Sequence, residues 1–331
     1  MTTVSHVHAG PLMYGGIRLY AGSSCPELAN DIAAYLKLPL CERDIVTFPN
    51  DNIFVKLRAS VRGQDCYVIQ STSIPVHRNL MELLIMIQTL RLDSAARITA
   101  VVPYLCYSRS DKKDQPRVPI TARLVADLIE VAGADRYVTL DLHADQIQGF
   151  FSIPGDVLYA KHVLIDPLQQ RVSKMHRPVL VSPDLGFAKK ARDYATRLDL
   201  PLAFVEKRRS SNIPTARALT LIGEVEDRDC LLLDEEISTG NTIVTAVKLL
   251  KECGARDIYL AFIHPVLAMH AAERISALPI KEFITTDTIP VPPAKRARFG
   301  DRLTVVGTAA LIGEVILRGN QGRSVGELFN E

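Results

Sequence analysis

A chain of 331 residues exceeds one ordinary domain of ~100–200 residues and has room for about two cores that fold without staples. Hydrophobic residues make up 47% and charged ones 23%, a globular composition that excludes disorder, collagen and coiled coil as whole-chain descriptions. Lysine and arginine number 39 against 37 aspartates and glutamates, so there is no global basic field for nucleic acid or an anionic membrane, and an anion must be held by a local site.

In chain order, β-branched runs and helical patterns alternate. Strands are predicted over 18–23, 66–71, 98–103 and 137–142, with helices over 26–36, 80–91 and 120–132 between them. Further along come strands at 179–183, 202–205, 230–234, 258–263, 283–287 and 303–307, with helices at 185–198, 243–253 and 268–278. The strands are apolar on both faces, which predicts an α/β fold of mainly parallel sheets covered by helices. No apolar stretch reaches the ~20 residues of a membrane span. Residues 1–16 lack a basic region followed by an apolar core, so a cytoplasmic chain is expected. The six cysteines, at 25, 41, 66, 106, 230 and 253, form no Cys-x-x-Cys pair and are expected to be free thiols.

Residues 128–143, LIEVAGADRYVTLDLH, repeat in outline at 249–264, LLKECGARDIYLAFIH. Each is a helix end, Gly-Ala, a strand, then histidine, with Gly133 and Gly254 at the left-handed position that stops a helix. Any two helix–glycine–strand units give a similar match. Together with the length, it favours duplicated halves joined near 150–165, here divided as 1–160 and 161–331.

The sharpest local signal is 231–242, LLLDEEISTGNT, ahead of a helical pattern. Ser238, Thr239, Gly240, Asn241 and Thr242 at a helix N-terminus offer hydroxyls and backbone N–H groups to a phosphate monoester. No lysine ends this loop, so it is not a nucleoside-triphosphate P-loop. Asp234 and Glu235, at the carboxyl end of the strand, are placed to accept hydrogen bonds from sugar hydroxyls. Phosphate on one side and diol acceptors on the other describe a ribose 5-phosphate site. An ordinary helix N-cap is the plainer alternative.

With that loop, the segments NLMEL (79–83), AVVPYLCYSRSD (100–111), PITA (119–122), DLHADQIQGFF (141–151), SPDLG (182–186) and KRR (207–209) make the whole chain resemble the ribose-phosphate pyrophosphokinase family, also called phosphoribosyl-diphosphate (PRPP) synthetases. The resemblance implies two phosphoribosyltransferase type I-like domains, related by duplication, and the substrates ATP and ribose 5-phosphate. It further implies Mg2+ and a homo-oligomer built from dimers. The implied reaction moves the diphosphoryl group of ATP to the C1 hydroxyl, giving PRPP and AMP. Lys207 and Arg209 match the mobile catalytic loop. Phe48, Asn50, Asn52, Arg109, Ser110, Asp111, Lys112 and His143 match the ATP-contacting positions, and His143 with Asp184 the metal.

The chain departs from the family pattern in several places. The adenine hairpin commonly reads Phe-Ser/Pro-Asp-Gly-Glu, and here Asn50 and Asn52 stand for the two acids. Ser110 replaces a usual glutamine, and Glu235 the second acid of the ribose-phosphate loop. Asn241 occupies the place of that loop's second glycine, where a positive φ is expected to matter. Residues 113–118, KDQPRV, lack the arginine-rich character of the bacterial regulatory loop. Two alternatives are a catalytically weak regulatory subunit and a type I phosphoribosyltransferase that consumes PRPP.

Overall fold

The computed structural model describes residues 14–209 and 217–329. They form two compact units, one running to Leu158 and taking in the segment from Ala309, the other spanning Tyr159–Thr308.

The first unit contains β1 (Ile17–Ala21), α1 (Pro26–Leu36), β2 (Arg43–Thr47), β3 (Ile53–Leu57), β4 (Asp65–Ile69), α2 (Val76–Leu92), β5 (Arg97–Val102), α3 (Thr121–Ala132), β6 (Arg136–Leu140) and β7 (Gly155–Leu158). Among the described residues, β1-β4-β5-β6-β7 form one parallel sheet in that order, and β2 and β3 a separate antiparallel hairpin. Every residue of β4 and β5 is buried, as a strand covered on both faces requires. Successive side chains go to opposite faces. Cys66, Val68, Ile98 and Ala100 pack with Leu83 and Ile87 of α2 and Ile129 of α3. Tyr67, Ile69 and Val101 pack with Leu28 and Ile32 of α1.

The second unit contains α4 (Lys161–Val172), β8 (Val179–Ser182), α5 (Ala188–Leu198), β9 (Leu202–Arg209), β10 (Arg217–Ile222), β11 (Cys230–Glu236), α6 (Asn241–Glu252), β12 (Ile258–His264), α7 (Ala271–Ser276), β13 (Glu282–Thr286), α8 (Pro293–Phe299) and β14 (Leu303–Val306). The strand order is β10-β9-β8-β11-β12-β13-β14, parallel except for β10 against β9. The same alternation sends Leu231 and Leu233 towards α4 and α5, and Cys230 and Leu232 towards α6 and α7.

Helix α9 (Ala309–Gln321) belongs to the first unit, whereas the sequence division placed 309–331 in the second half. Its buried Ile312, Val315 and Ile316 share a core with Leu28 and Ile32. A polar cluster fastens its end: Arg97 donates Nε and Nη2 to Asp65 at 2.8 and 2.6 Å and a further Nη2 bond to the Gly319 carbonyl at 3.0 Å. Asn320 adds a bond to Asp65 at 2.8 Å.

The two helix–glycine–strand units fold alike up to a point. Gly133 (φ 115°) and Gly254 (φ 82°) both take the left-handed conformation. The strand after Gly254 continues to His264, but the one after Gly133 ends at Leu140, and Asp141 (φ 40°) turns the chain aside. Leu142 therefore lies beyond its strand, whereas Ile263, at the corresponding position of the repeat, lies within β12.

Candidate functional site

Strand β11 is apolar through Leu233 and then delivers Asp234 and Glu235 to the carboxyl edge of the second sheet. Asp234 Oδ1 accepts the Glu235 N–H at 2.8 Å. Glu235 is buried and paired with Lys190 of α5. Beyond the neighbouring strand β8, Asp184 accepts the N–H groups of Gly186 and Phe187 through Oδ1 at 2.9 and 3.2 Å. The Ser182 hydroxyl donates to the Asp184 carbonyl at 2.7 Å. Burial first, then the charge of Asp184, pushes Asp234 up to about 8, against the pull of the Glu235 N–H. A carboxyl group whose charge is disfavoured in this way is suited to a nearby cation or to sugar hydroxyls.

The loop between β11 and α6 lies against the segment leading into α7. Leu267 N–H donates to the Ile237 carbonyl at 2.8 Å, and Ala268 N–H to the Ser238 carbonyl at 2.9 Å. Arg274 Nη1 donates to the Thr239 carbonyl at 3.3 Å. In a trans peptide the C=O and the next N–H point in opposite directions. With three successive carbonyls turned towards 267–274, the N–H groups of Ser238, Thr239 and Gly240 face the other way. No side chain caps the N-terminus of α6, so its first-turn donors add to the same anion-binding end.

Gly240 has φ 78°, and a Cβ there would stand 2.9 Å from Ile275 Cγ2. The left-handed position of this loop is thus Gly240. Asn241 is the first residue of α6 and is not among the positive-φ residues, which corrects the expectation that a left-handed backbone is needed there. Its side chain instead accepts a bond from Arg274 Nη1 at 2.8 Å.

In the first unit, Phe48–Asn52 is the turn of the β2–β3 hairpin: Phe48 N–H donates to the Asn52 carbonyl at 2.8 Å and Asp51 N–H to the Phe48 carbonyl at 2.9 Å. Asn50 Oδ1 accepts the Asn52 N–H at 3.3 Å, a turn role that aspartate would fill equally. Phe48 is exposed, its ring 5.9 Å from that of Phe54, a surface on which a planar ring can stack. After β5, Arg109 and Lys112 are exposed, and so is His143. Asp111 instead points inward: it is buried and accepts Gln146 Nε2 at 2.6 Å. Ser110 is tied to the start of α3 through the Ala122 N–H at 3.2 Å and the Thr121 hydroxyl at 3.4 Å. Both residues thereby set the shape of the loop that presents Arg109 and Lys112.

The sequence reading ended a strand at 205 and left Lys207 and Arg209 on a loop. Strand β9 runs on to Arg209, and its register pairs Lys207 with Leu219 and Arg209 with Arg217 on β10. Their side chains and residues 210–216 lie outside the described residues. Two site residues were missed by sequence reading. Lys190 reads as one more cation on an amphipathic helix, and Arg274 sits in a short helix with no motif. Only packing brings them to Glu235 and to the loop.

Parallel sheet, acidic pair and outward-facing N–H groups at a helix start together define a type I phosphoribosyltransferase-like α/β protein. Residues 17–133 match the family model of the N-terminal domain of ribose phosphate pyrophosphokinase, and 210–330 that of a phosphoribosyl synthetase-associated domain. The chain belongs to the ribose-phosphate pyrophosphokinase family. It is 44% identical over 314 residues to the ribose-phosphate pyrophosphokinase of Rhizobium meliloti, a match covering 95% of this chain and 100% of that one. The enzyme of that name from Chlorobaculum tepidum is 46% identical over 315 residues, 95% of each chain. The crystal structure of phosphoribosylpyrophosphate synthetase from Mycobacterium smegmatis superimposes with a TM-score of 0.87 at 41% identity, over 93% of this chain and 99% of that one.

Proposed function

We propose that this chain transfers the diphosphoryl group of ATP to the C1 hydroxyl of ribose 5-phosphate, giving PRPP and AMP. Full-length likeness to ribose-phosphate pyrophosphokinases supports the reaction. The observation that carries the sugar-phosphate half is the loop before α6, in which the carbonyls of 237–239 are bonded behind it and the N–H groups of 238–240 face the other way, towards a phosphate.

In this reading the 5-phosphate accepts from the N–H groups and hydroxyls of Ser238 to Thr242, aided by the positive end of α6. Asp234 and Glu235 accept the ribose hydroxyls, and Lys190 holds Glu235 in place. Fixing both ends of the sugar sets the C1 hydroxyl for in-line attack on the β-phosphorus, and such positioning is the larger part of phosphoryl-transfer catalysis. The bond from that phosphorus to the α,β-bridging oxygen breaks, and AMP leaves. Phe48 stacks the adenine, Asn50 and Asn52 meet its edge, and Arg109, Lys112 and His143 meet the phosphates. Asp111 and Ser110 shape that loop from within. Lys207 and Arg209 neutralise charge that develops on the transferred group.

Among the described residues no three His, Cys, Asp or Glu side chains gather as a metal cage. Mg2+ needs none, since it takes one or two carboxylates and fills its octahedron with water and phosphate. The neighbouring carboxyl groups of Asp184 and Asp234 suit such an ion, which would supply neutralisation of the phosphoryl oxygens; Asp184 in the second unit and His143 in the first are each proposed as a metal ligand. A homo-oligomer in the cytoplasm completes the proposal. No described helix is long and apolar enough to cross a membrane.

Phosphorus NMR of the protein with Mg2+, ATP and ribose 5-phosphate tests the reading. PRPP and AMP are expected to appear and to fall at least a hundredfold in Lys207→Ala. Absence of turnover while both substrates still bind would overturn it in favour of a regulatory subunit.

A further inference from the structure

The three peptide planes that give the phosphate loop its polarity are not held alike. The planes following Ile237 and Ser238 are fixed by main-chain donors, Leu267 and Ala268. The plane between Thr239 and Gly240 depends on one side-chain nitrogen, Arg274 Nη1, at 3.3 Å from the Thr239 carbonyl. It also adjoins Gly240, whose absent Cβ makes rotation of that peptide cheap. Were this plane to flip, a carbonyl oxygen would replace an N–H at the anion site and repel the phosphate.

The same Nη1 is anchored at 2.8 Å by Asn241 Oδ1, the position where the family pattern has glycine. The adjacent carboxylate is engaged elsewhere: Glu273, the residue before Arg274 in sequence, bonds His270 at 2.8 Å and Arg298 at 3.3 Å. Arg274 is therefore aimed at the loop by Asn241 and not by a carboxylate. Its guanidinium lies on the side of the loop away from the N–H groups.

We infer that Arg274 is a positioning residue for ribose 5-phosphate, setting the Thr239–Gly240 peptide with its N–H towards the phosphate, and that Asn241 is its anchor. The inference rests on the reading of 237–242 as the phosphate loop and adds the device that keeps the loop in its binding state.

A double-mutant cycle tests it, with Arg274→Ala, Asn241→Gly and both together, read by calorimetry of ribose 5-phosphate binding and by KM for each substrate. Arg274→Ala is expected to weaken ribose 5-phosphate binding by about 30-fold, with KM for ATP unchanged. Asn241→Gly is expected to weaken it about threefold, and to add nothing in the Arg274→Ala background. Arg274→Lys, which keeps a cation able to reach one acceptor, is expected to recover part of the loss and serves if the alanine variant does not fold. Additive effects, equal loss of ATP affinity, or ribose 5-phosphate affinity within twofold of the parent in Arg274→Ala and Arg274→Lys would each overturn the inference. If the parent chain binds ribose 5-phosphate but makes no PRPP, the proposed reaction fails while the cycle still decides the role of Arg274. If it does not bind ribose 5-phosphate, both fail.

Discussion

Gly240→Ala perturbs the centre of the site in two separable ways. Its φ of 78° is left-handed, which costs a residue with a Cβ roughly 1–2 kcal/mol. The added Cβ would also stand 2.9 Å from Ile275 Cγ2, and overpacking of this kind costs about 1–3 kcal/mol. Gly63→Ala isolates the first effect, since Gly63 has φ 70° and nothing within 4 Å of an added Cβ. Urea denaturation of the two variants should then differ by about 1–3 kcal/mol, with Gly240→Ala the less stable. If the loop relaxes to avoid Ile275, the cost moves from stability to function, and the loss of ribose 5-phosphate affinity measured by calorimetry should be about tenfold for each 1.4 kcal/mol spared. Ile275→Ala removes the clashing methyl, so the double variant should lose less than the sum of the singles. Equal stability of the two glycine variants, with ribose 5-phosphate affinity unchanged, would refute the close packing of the loop on α7.

Asp234 gives a pH dependence of known sign. Its folded value is raised to about 8, so the protonated acid is favoured on folding; its stabilising contribution is full below the unfolded value and is lost as pH rises through about 8. In metal-free buffer Asp234→Asn should therefore gain stability over the parent as pH goes from 6 to 9, and a flat difference in urea midpoints would contradict this. Ribose 5-phosphate, which needs an ionised acceptor, should bind the parent more tightly over the same range. Arg97→Ala leaves the buried Asp65 carboxylate without its bidentate partner. Breaking such a pair costs about 3–5 kcal/mol, and hydrogen exchange should show α9 losing protection first.

Much of the fold was legible because its cause is local. Runs such as 230–233 and 258–263 are buried on both faces and apolar throughout, and Gly133 and Gly254 announce the helix stops ahead of β6 and β12. Elements with weaker patterns were missed: α4 carries Pro167 and a mixed surface, and β10 is an edge strand that needs β9 as its partner. The terminal helix α9 was missed because nothing local says which core its apolar stripe will join.

By itself the sequence determined the alternation of the main buried strands with helices, the acidic pair at the end of β11 and the hydroxyl-rich loop before α6, since residue type and spacing suffice for these. Tertiary structure alone decided which way that loop's peptides face, because the donors that turn them, Leu267, Ala268 and Arg274, lie some thirty residues away. It also decided that Gly240 and not Asn241 carries the left-handed backbone, and that Asp111 turns inward to Gln146. A carbonyl's direction or a carboxylate's partner is fixed by whatever packs against it, and packing is not written in neighbouring residues.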